Sequence, residues 1–261
     1  MDGKSWGLAV LKFGSSVLLD EDAYQAACLE IRRWVGKGFR VVAVVSALHG
    51  KTDALLAKAN SLGPCPDPAA VAAYLAVGEG QSVAWLGLCL DRAGISATVL
   101  DAAAIGLNTE GTPLNAVAVS LDRETIIQAL ERRPVLVVPG FVGRDRFGQV
   151  NLLGRGGSDL TALFLAARLE ADQCRLLKDV NGLYDRDPAL HGMRARRFLR
   201  VSFDDVLALD EGIVQHKAVR FAREWNLSFR VTCPGGEDGT LVCGQPSRFY
   251  EEVSLTAQTP C

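Results

Sequence analysis

The run Leu153-Gly154-Arg155-Gly156-Gly157-Ser158-Asp159 holds the residue types of an anion site at the entrance to a helix. Glycines let a backbone bend sharply and approach a ligand closely. Arg155 carries a planar fork that matches a carboxylate or a phosphate. Ser158 and Asp159 open an apolar stretch, Leu160 to Leu169, that reads as a helix. Asp159 falls in its first turn, where a carboxylate suits the positive helix end and can cap free amides. A strand-to-helix turn of this make can hold an anion, and the same residues also suit an ordinary capped turn.

Four further segments carry chemistry. Lys12-Phe13-Gly14-Ser15-Ser16 follows an apolar run, so a strand-end lysine sits beside a glycine and two hydroxyls that can meet phosphate oxygens. The order is not that of a Walker A loop. The segment Val45 to Asp53, with Ser46, Ala47 and Thr52, follows a second apolar run and suits either a small substrate or a helix cap. Glu79 lies after Gly78 in an apolar helical stretch, where a carboxylate can take an ammonium group or face solvent. The stretch Lys178 to Pro188 packs Lys178, Asp179, Tyr184, Arg186 and Asp187 into one turn-rich loop. Such a loop suits a nucleotide, with Tyr184 against base or ribose, or a plain polar turn closed by Asp-Pro.

The elements that must carry these segments alternate. Strands are expected at Gly7 to Phe13, Arg40 to Val45, Thr98 to Leu100, Val117 to Leu121, Pro134 to Val138, Arg175 to Leu177, Leu227 to Val231 and Gly239 to Val242. Helices are expected at Asp20 to Trp34 with Asp20 as cap, Thr52 to Ala59, Ala69 to Ala93, Arg123 to Arg132, 203–210 and 214–225. Pro64, Pro66 and Pro68 mark a break, and 245–261 has no clear period. This alternation predicts an α/β/α sandwich with a largely parallel central sheet. Ligands in such sheets bind beyond the carboxyl ends of the strands, where most of the candidate loops fall.

The chain has 261 residues, 49% of them hydrophobic, and a formal net charge of −2. That suits one large α/β domain or two tightly joined lobes, and gives no basic surface for nucleic acid. No apolar run approaches a membrane span and no signal-peptide pattern is present, so a cytosolic protein is expected. Seven cysteines without C-x-x-C spacing read as reduced thiols, and three scattered histidines suggest no metal cluster.

The order of these segments resembles the motif series of the amino acid kinase family. The Gly78-Glu79 pair, the Arg155 to Asp159 run and Asp179-Val180-Asn181-Gly182-Leu183-Tyr184 are similar to its aspartokinase members. Pro139-Gly140-Phe141-Val142-Gly143 resembles the family's Gly-Phe-x-Gly strand end, and Gly239-Thr240-Leu241 the Gly-Thr that closes its catalytic domain. The resemblance runs from about residue 8 to 243. It implies a catalytic domain over 1–244, with an amino-acid lobe to about 170, a nucleotide lobe from 171, and a tail at 245–261.

The resemblance further implies transfer of the γ-phosphoryl of ATP to the side-chain carboxylate of L-aspartate, with Mg²⁺ bridging phosphates. Lys12 would neutralise the transferring group, Gly14, Ser15 and Ser16 would help hold it, and Asp159 would orient Lys12. Arg155, with Gly156, Gly157 and Ser158, would take the substrate α-carboxylate. Glu79 would take the α-ammonium, and Ser46, Ala47 and Thr52 would line the pocket. Lys178, Asp179, Tyr184, Arg186 and Asp187 would form the nucleotide side. No residue is expected as a dedicated metal ligand. A homodimer is expected by analogy, and regulatory ACT domains are not expected within this chain.

Three positions depart from the pattern. The first loop is one residue shorter than the aspartokinase Lys-Phe-Gly-Gly-Thr-Ser, a version nearer to glutamate 5-kinase. Lys178-Asp179 stands where the family has Thr-Asp. The nucleotide-contacting lysine of the family's Gly-Ala-Lys segment is replaced by Ile213, which leaves open whether Lys217 takes its place. The alternatives are therefore a kinase of another acidic acceptor such as glutamate, or a weakly catalytic regulatory subunit.

Overall fold

A computed structural model describes residues 6–188, 195–209 and 212–250. The chain starts with strand β1 (Gly7–Phe13), helix α1 (Ala23–Gly36) and strand β2 (Phe39–Val45), then helices α2 (Lys51–Asn60) and α3 (Pro68–Arg92). Strands β3 (Ala97–Val99), β4 (Asn108–Thr112) and β5 (Asn115–Ser120) precede helix α4 (Arg123–Arg132) and strands β6 (Val135–Pro139), β7 (Val142–Arg144) and β8 (Val150–Leu152). Helix α5 (Gly157–Leu169), strands β9 (Gln173–Leu177) and β10 (Phe198–Ser202), and helices α6 (Phe203–Ala208) and α7 (His216–Glu224) come next. Strands β11 (Phe229–Thr232), β12 (Thr240–Cys243) and β13 (Arg248–Phe249) close the described chain.

Nine strands form the central sheet in the order β13-β10-β12-β11-β9-β1-β2-β6-β3. All neighbours from β11 to β3 pair in parallel, and the antiparallel pairs are β11–β12 and β10–β13. Strand alternation sorts the core into two layers. Leu8 and Val10 of β1 and Val42 and Val44 of β2 join α5 in one layer. Ala9, Leu11 and Phe13, with Val41, Ala43 and Val45, join α1 in the other. Both faces of the central strands are buried, which is why they read as unbroken apolar runs. The architecture is the expected α/β/α sandwich.

Several elements differ from expectation. Helix α1 starts at Ala23, whose N–H donates to Asp20 Oδ1 at 3.0 Å. The expected break separates α2 from α3, but Pro68 belongs to the helix and opens α3 one residue early, with Asp67 accepting from the N–H groups of Ala69 and Ala70. A proline is tolerated there because a first-turn N–H has no helical partner. Strands β4, β7 and β8 are unanticipated; with β5 they form a second sheet, ordered β5-β4-β7-β8. Their short length and the polar Asn-Thr-Glu-Gly-Thr of β4 hide any apolar alternation. Strand β10 and, within 245–261, strand β13 are also additions, while residues 251–261 lie outside the described chain. Cys28, Cys65, Cys89, Cys174 and Cys243 are free thiols, with Cys65 exposed, whereas Cys233 is disulfide-bonded, which corrects the expectation of reduced thiols throughout. Among the described residues no helix is long and apolar enough to cross a membrane.

Candidate active site

The sheet order reverses direction at β1, whose neighbours β2 and β9 lie on opposite sides. A crevice opens at such a point beyond the strand ends. Lys12 shares the face of Leu8 and Val10, so alternation aims it at α5. Its ammonium lies 2.6 Å from Asp159 Oδ1. Lys178, one residue past β9, follows Cys174 and Leu176 on that same face. It donates to Asp159 Oδ2 at 2.8 Å. One carboxylate thus holds two ammonium groups, and all three side chains are buried.

This corrects the reading of Asp159 as a helix cap. The N-cap of α5 is Gly156, with no side-chain cap, and the Asp159 oxygens go to the lysines instead. Burial alone would raise the Asp159 carboxyl, yet the two lysines hold it down at about 2. Burial pushes the Lys12 ammonium down to about 8; Asp159 opposes that shift and the charge of Lys178 adds to it. Gly14 leaves room for this ammonium, because a Cβ there would lie 2.7 Å from Lys12 Nζ. Beyond Gly14 the chain turns tightly, with the N–H groups of Val17 and Leu18 both donating to the Gly14 carbonyl. That turn carries Ser15 and Ser16 to the rim of the crevice.

The Gly-rich turn before α5 is packed so closely that side chains are excluded. Gly154 and Gly156 adopt φ of +72° and +73°, the left-handed region that favours glycine. A Cβ on Gly156 would come within 2.5 Å of Gln215, and one on Gly157 within 2.7 Å of Phe141. Arg155 projects from this closely packed turn, exposed, with no ion-pair partner among the described residues. Ser158 follows it, half-buried against Gly140.

Across the crevice, Ser46 and Ala47 leave the end of β2, and Thr52 sits in the first turn of α2. The Ser46 N–H donates to the Phe13 carbonyl at 3.1 Å, which ties this loop to the end of β1. Glu79 of α3 is 2% exposed and accepts the Ala47 N–H through Oε1 at 3.4 Å. Its Oε2 is buried with no hydrogen-bond partner. Burial raises this carboxyl to about 7, and the Ala47 amide offsets that only in part. A buried acceptor without a donor costs about 1–3 kcal/mol, so Glu79 is poised for a ligand that brings one.

The loop after β9 lines the third side. Asp179, Arg186 and Asp187 are exposed, and Tyr184 is half-buried and bridged to Arg197. Arg186 reaches Asp185 at 3.6 Å.

Every residue expected from the sequence lines one open cleft of about 1080 Å³. Sequence reasoning named Leu183 and Ile213 but missed Val206, Leu209 and Val214, which complete an apolar wall with them. Scattered aliphatic residues carry no motif, so no local signal marked them. The resemblance assigns Asp159 to Lys12, but does not reveal that the same carboxylate also holds Lys178, which only register between distant strands creates. Lys217 does not enter the cleft wall. Its ammonium donates to Asn115 Oδ1 and to the carbonyls of Ala116 and Leu153, pinning α7 to the second sheet. No group of three or more His, Cys, Asp or Glu side chains is arranged to hold a metal ion among the described residues.

The chain is 33% identical over 253 residues to the aspartokinase of Geobacillus stearothermophilus, covering 95% of this chain and 60% of that one. The aspartokinase of Helicobacter pylori is 35% identical over 244 residues, covering 91% and 60%. The chain thus spans about 60% of the length of these curated relatives. A crystal structure of aspartate kinase from Synechocystis superposes with a TM-score of 0.80 at 30% identity, covering 92% of this chain and 40% of that one. UMP kinase from Bacillus anthracis shares the fold, with a TM-score of 0.67 at 18% identity, over 95% of this chain and 100% of its own. The model of the amino acid kinase family matches residues 7–232, so the chain belongs to the amino acid kinase family.

Proposed function

We propose that this chain is the kinase module of an aspartokinase, moving the γ-phosphoryl of ATP onto the side-chain carboxylate of L-aspartate to give 4-phospho-L-aspartate. The observation that carries the reading is the placement of Arg155 and the partnerless Glu79 oxygen on the cleft that also holds the Lys12–Asp159 pair. An α-amino acid presents a carboxylate and an ammonium, the two groups that Arg155 and Glu79 complement. Gly156, Gly157 and Ser158 frame the carboxylate end, while Ser46, Ala47 and Thr52 close the pocket.

The acceptor carboxylate is already ionised, so no general base is required. Catalysis is then a matter of positioning and charge neutralisation. An acceptor oxygen bonds to the γ-phosphorus while the bond to the bridging oxygen breaks, and ADP leaves with the electron pair. Lys12 neutralises the transferring group, held in place by Asp159, and Gly14, Ser15 and Ser16 shape the loop around it. The nucleotide would lie along Asp179, Tyr184, Arg186 and Asp187, with its base against the apolar wall. Mg²⁺ fits as an ion delivered on the phosphates, where it would supply further neutralisation with Asp179 and Asp187 at hand.

Trapping the acyl phosphate with hydroxylamine, over a panel of acidic acceptors, tests the reading. Product from aspartate is expected; none from aspartate, beside a working control kinase, refutes it. A second reading is a kinase of another acidic acceptor such as glutamate, favoured by the short Lys12 to Ser16 loop. The same panel separates the two.

A further inference from the structure

Two buried lysines on one carboxylate leave the cluster with a surplus positive charge. Lys12 and Lys178 are 5% and 9% exposed, and Asp159 supplies the shared negative charge. A buried charge without a counter-charge is costly. The cleft at the ends of β1 and β9 is where the missing anion can enter, since all three residues line it.

The position of Lys178 also bears on the lysine absent at Ile213. Ile213 lines the same cleft, so a lysine there would have faced the same ligand. Lys217 cannot take over, because its ammonium is committed to three acceptors, at 3.1, 3.2 and 2.7 Å, outside the cleft wall. Lys178 is the residue that brings a second ammonium to Asp159.

We propose that Lys178 is the second phosphate-binding cation of this site, and that it replaces, from the end of β9, the lysine that the resemblance expects at position 213. Lys12 and Lys178 together cradle the β- and γ-phosphates, with Asp159 as the spacer that fixes both ammonium groups. The charge that shifts from the γ-phosphoryl towards the bridging oxygen then moves between two fixed cations. Alternation along two adjacent parallel strands explains how the swap is possible, since Lys12 and Lys178 emerge on the same face of the sheet. The inference rests on the kinase reading above for the transfer step, and on phosphate binding alone for the ligand.

The test compares the wild type with Lys178→Thr, which installs the residue expected at that position, Ile213→Lys, and the double variant. Calorimetry with ATP and with AMP reads binding, and hydroxamate formation reads turnover. Lys178→Thr is expected to lower kcat roughly 10²–10³-fold, the usual effect of removing one group that stabilises developing charge. It should weaken ATP binding by roughly tenfold or more while AMP binding changes little, because AMP lacks the β- and γ-phosphates. The double variant should recover at least about tenfold in kcat over Lys178→Thr.

Equal weakening of ATP and AMP, or a kcat within about twofold of wild type, overturns the proposal, since a merely structural role has no preference among phosphates. A double variant no better than Lys178→Thr overturns the replacement. Should Lys178→Thr fail to fold, Lys178→Met keeps the packing of the stem and carries the same comparison. If the wild type phosphorylates no acid on the panel, the kinase reading fails by itself, and the ATP-against-AMP difference still decides the role of Lys178.

Discussion

Glu79 accepts the backbone N–H of Ala47 at 3.4 Å through one carboxylate oxygen, while the other is buried without a hydrogen-bond partner. Burial raises this carboxyl to about 7 from an ordinary 4.5. Below that pH the free protein holds it neutral and unable to pair with an ammonium. We therefore predict that kcat/KM for the amino-acid acceptor rises with pH through about 7, and that Glu79→Gln flattens this limb while raising KM. An unchanged acidic limb in the variant would falsify the role.

The same shift bears on stability. A group whose folded value is raised binds more protons in the folded state between 4.5 and about 7, so folding loses stability as pH rises through that window. Glu79→Gln has no such loss. Its Tm relative to wild type should therefore improve between pH 5 and about 8, and thermal melts at the two ends check this.

Lys12→Ala should reduce kcat roughly 10²–10³-fold, because the lost ammonium acts on charge that develops in the transition state. Gly14→Ala offers a gentler probe, since its Cβ would lie 2.7 Å from Lys12 Nζ and must displace it. Its expected signature is a lowered kcat with a Tm close to wild type. Near-normal turnover by Lys12→Ala would refute the assignment.

Arg155 has no ion-pair partner among the described residues and projects from a turn whose glycines are closely packed by their neighbours. Losing a charge-assisted hydrogen bond costs about 1.5–3 kcal/mol, so Arg155→Ala should raise the acceptor KM roughly 10–100-fold. ATP affinity should stay within about twofold, as Arg155 touches only the acceptor in this scheme. A matching loss of ATP binding would move Arg155 to the nucleotide side.

Asp159→Asn keeps the shape and removes the charge that two buried lysines share. Breaking a buried pair in this way costs about 3–5 kcal/mol. A clear drop in Tm is expected, and saturating ATP should recover part of it by supplying the missing anion. A Tm equal to that of wild type would contradict the shared hold on the two lysines.

Much of the scaffold was legible because local rules dominate there. Apolar runs at β1, β2 and β6 read as buried strands, since both faces of each are covered. Of the second sheet only β5 was legible, because β4, β7 and β8 are three to five residues long and owe their pairing to neighbours the local pattern does not mark. Pro68 and Asp159 show the limit of reading a residue by its usual habit. The first lies inside the helix it was expected to precede, and the second makes no cap and holds Lys178 besides the Lys12 assigned to it.

The sequence by itself determined which polar and charged groups line the cleft, because glycine turns, an arginine fork and strand-end lysines are chemical types with few local uses. It could not determine which group meets which. Lys12 and Lys178 share one carboxylate because β1 and β9 lie side by side in parallel with a fixed register. Lys217 is drawn away because the second sheet offers it two carbonyls and an amide oxygen. Such pairings arise from contacts between segments far apart in the chain, where the energy of each residue depends on a neighbour that no local pattern encodes.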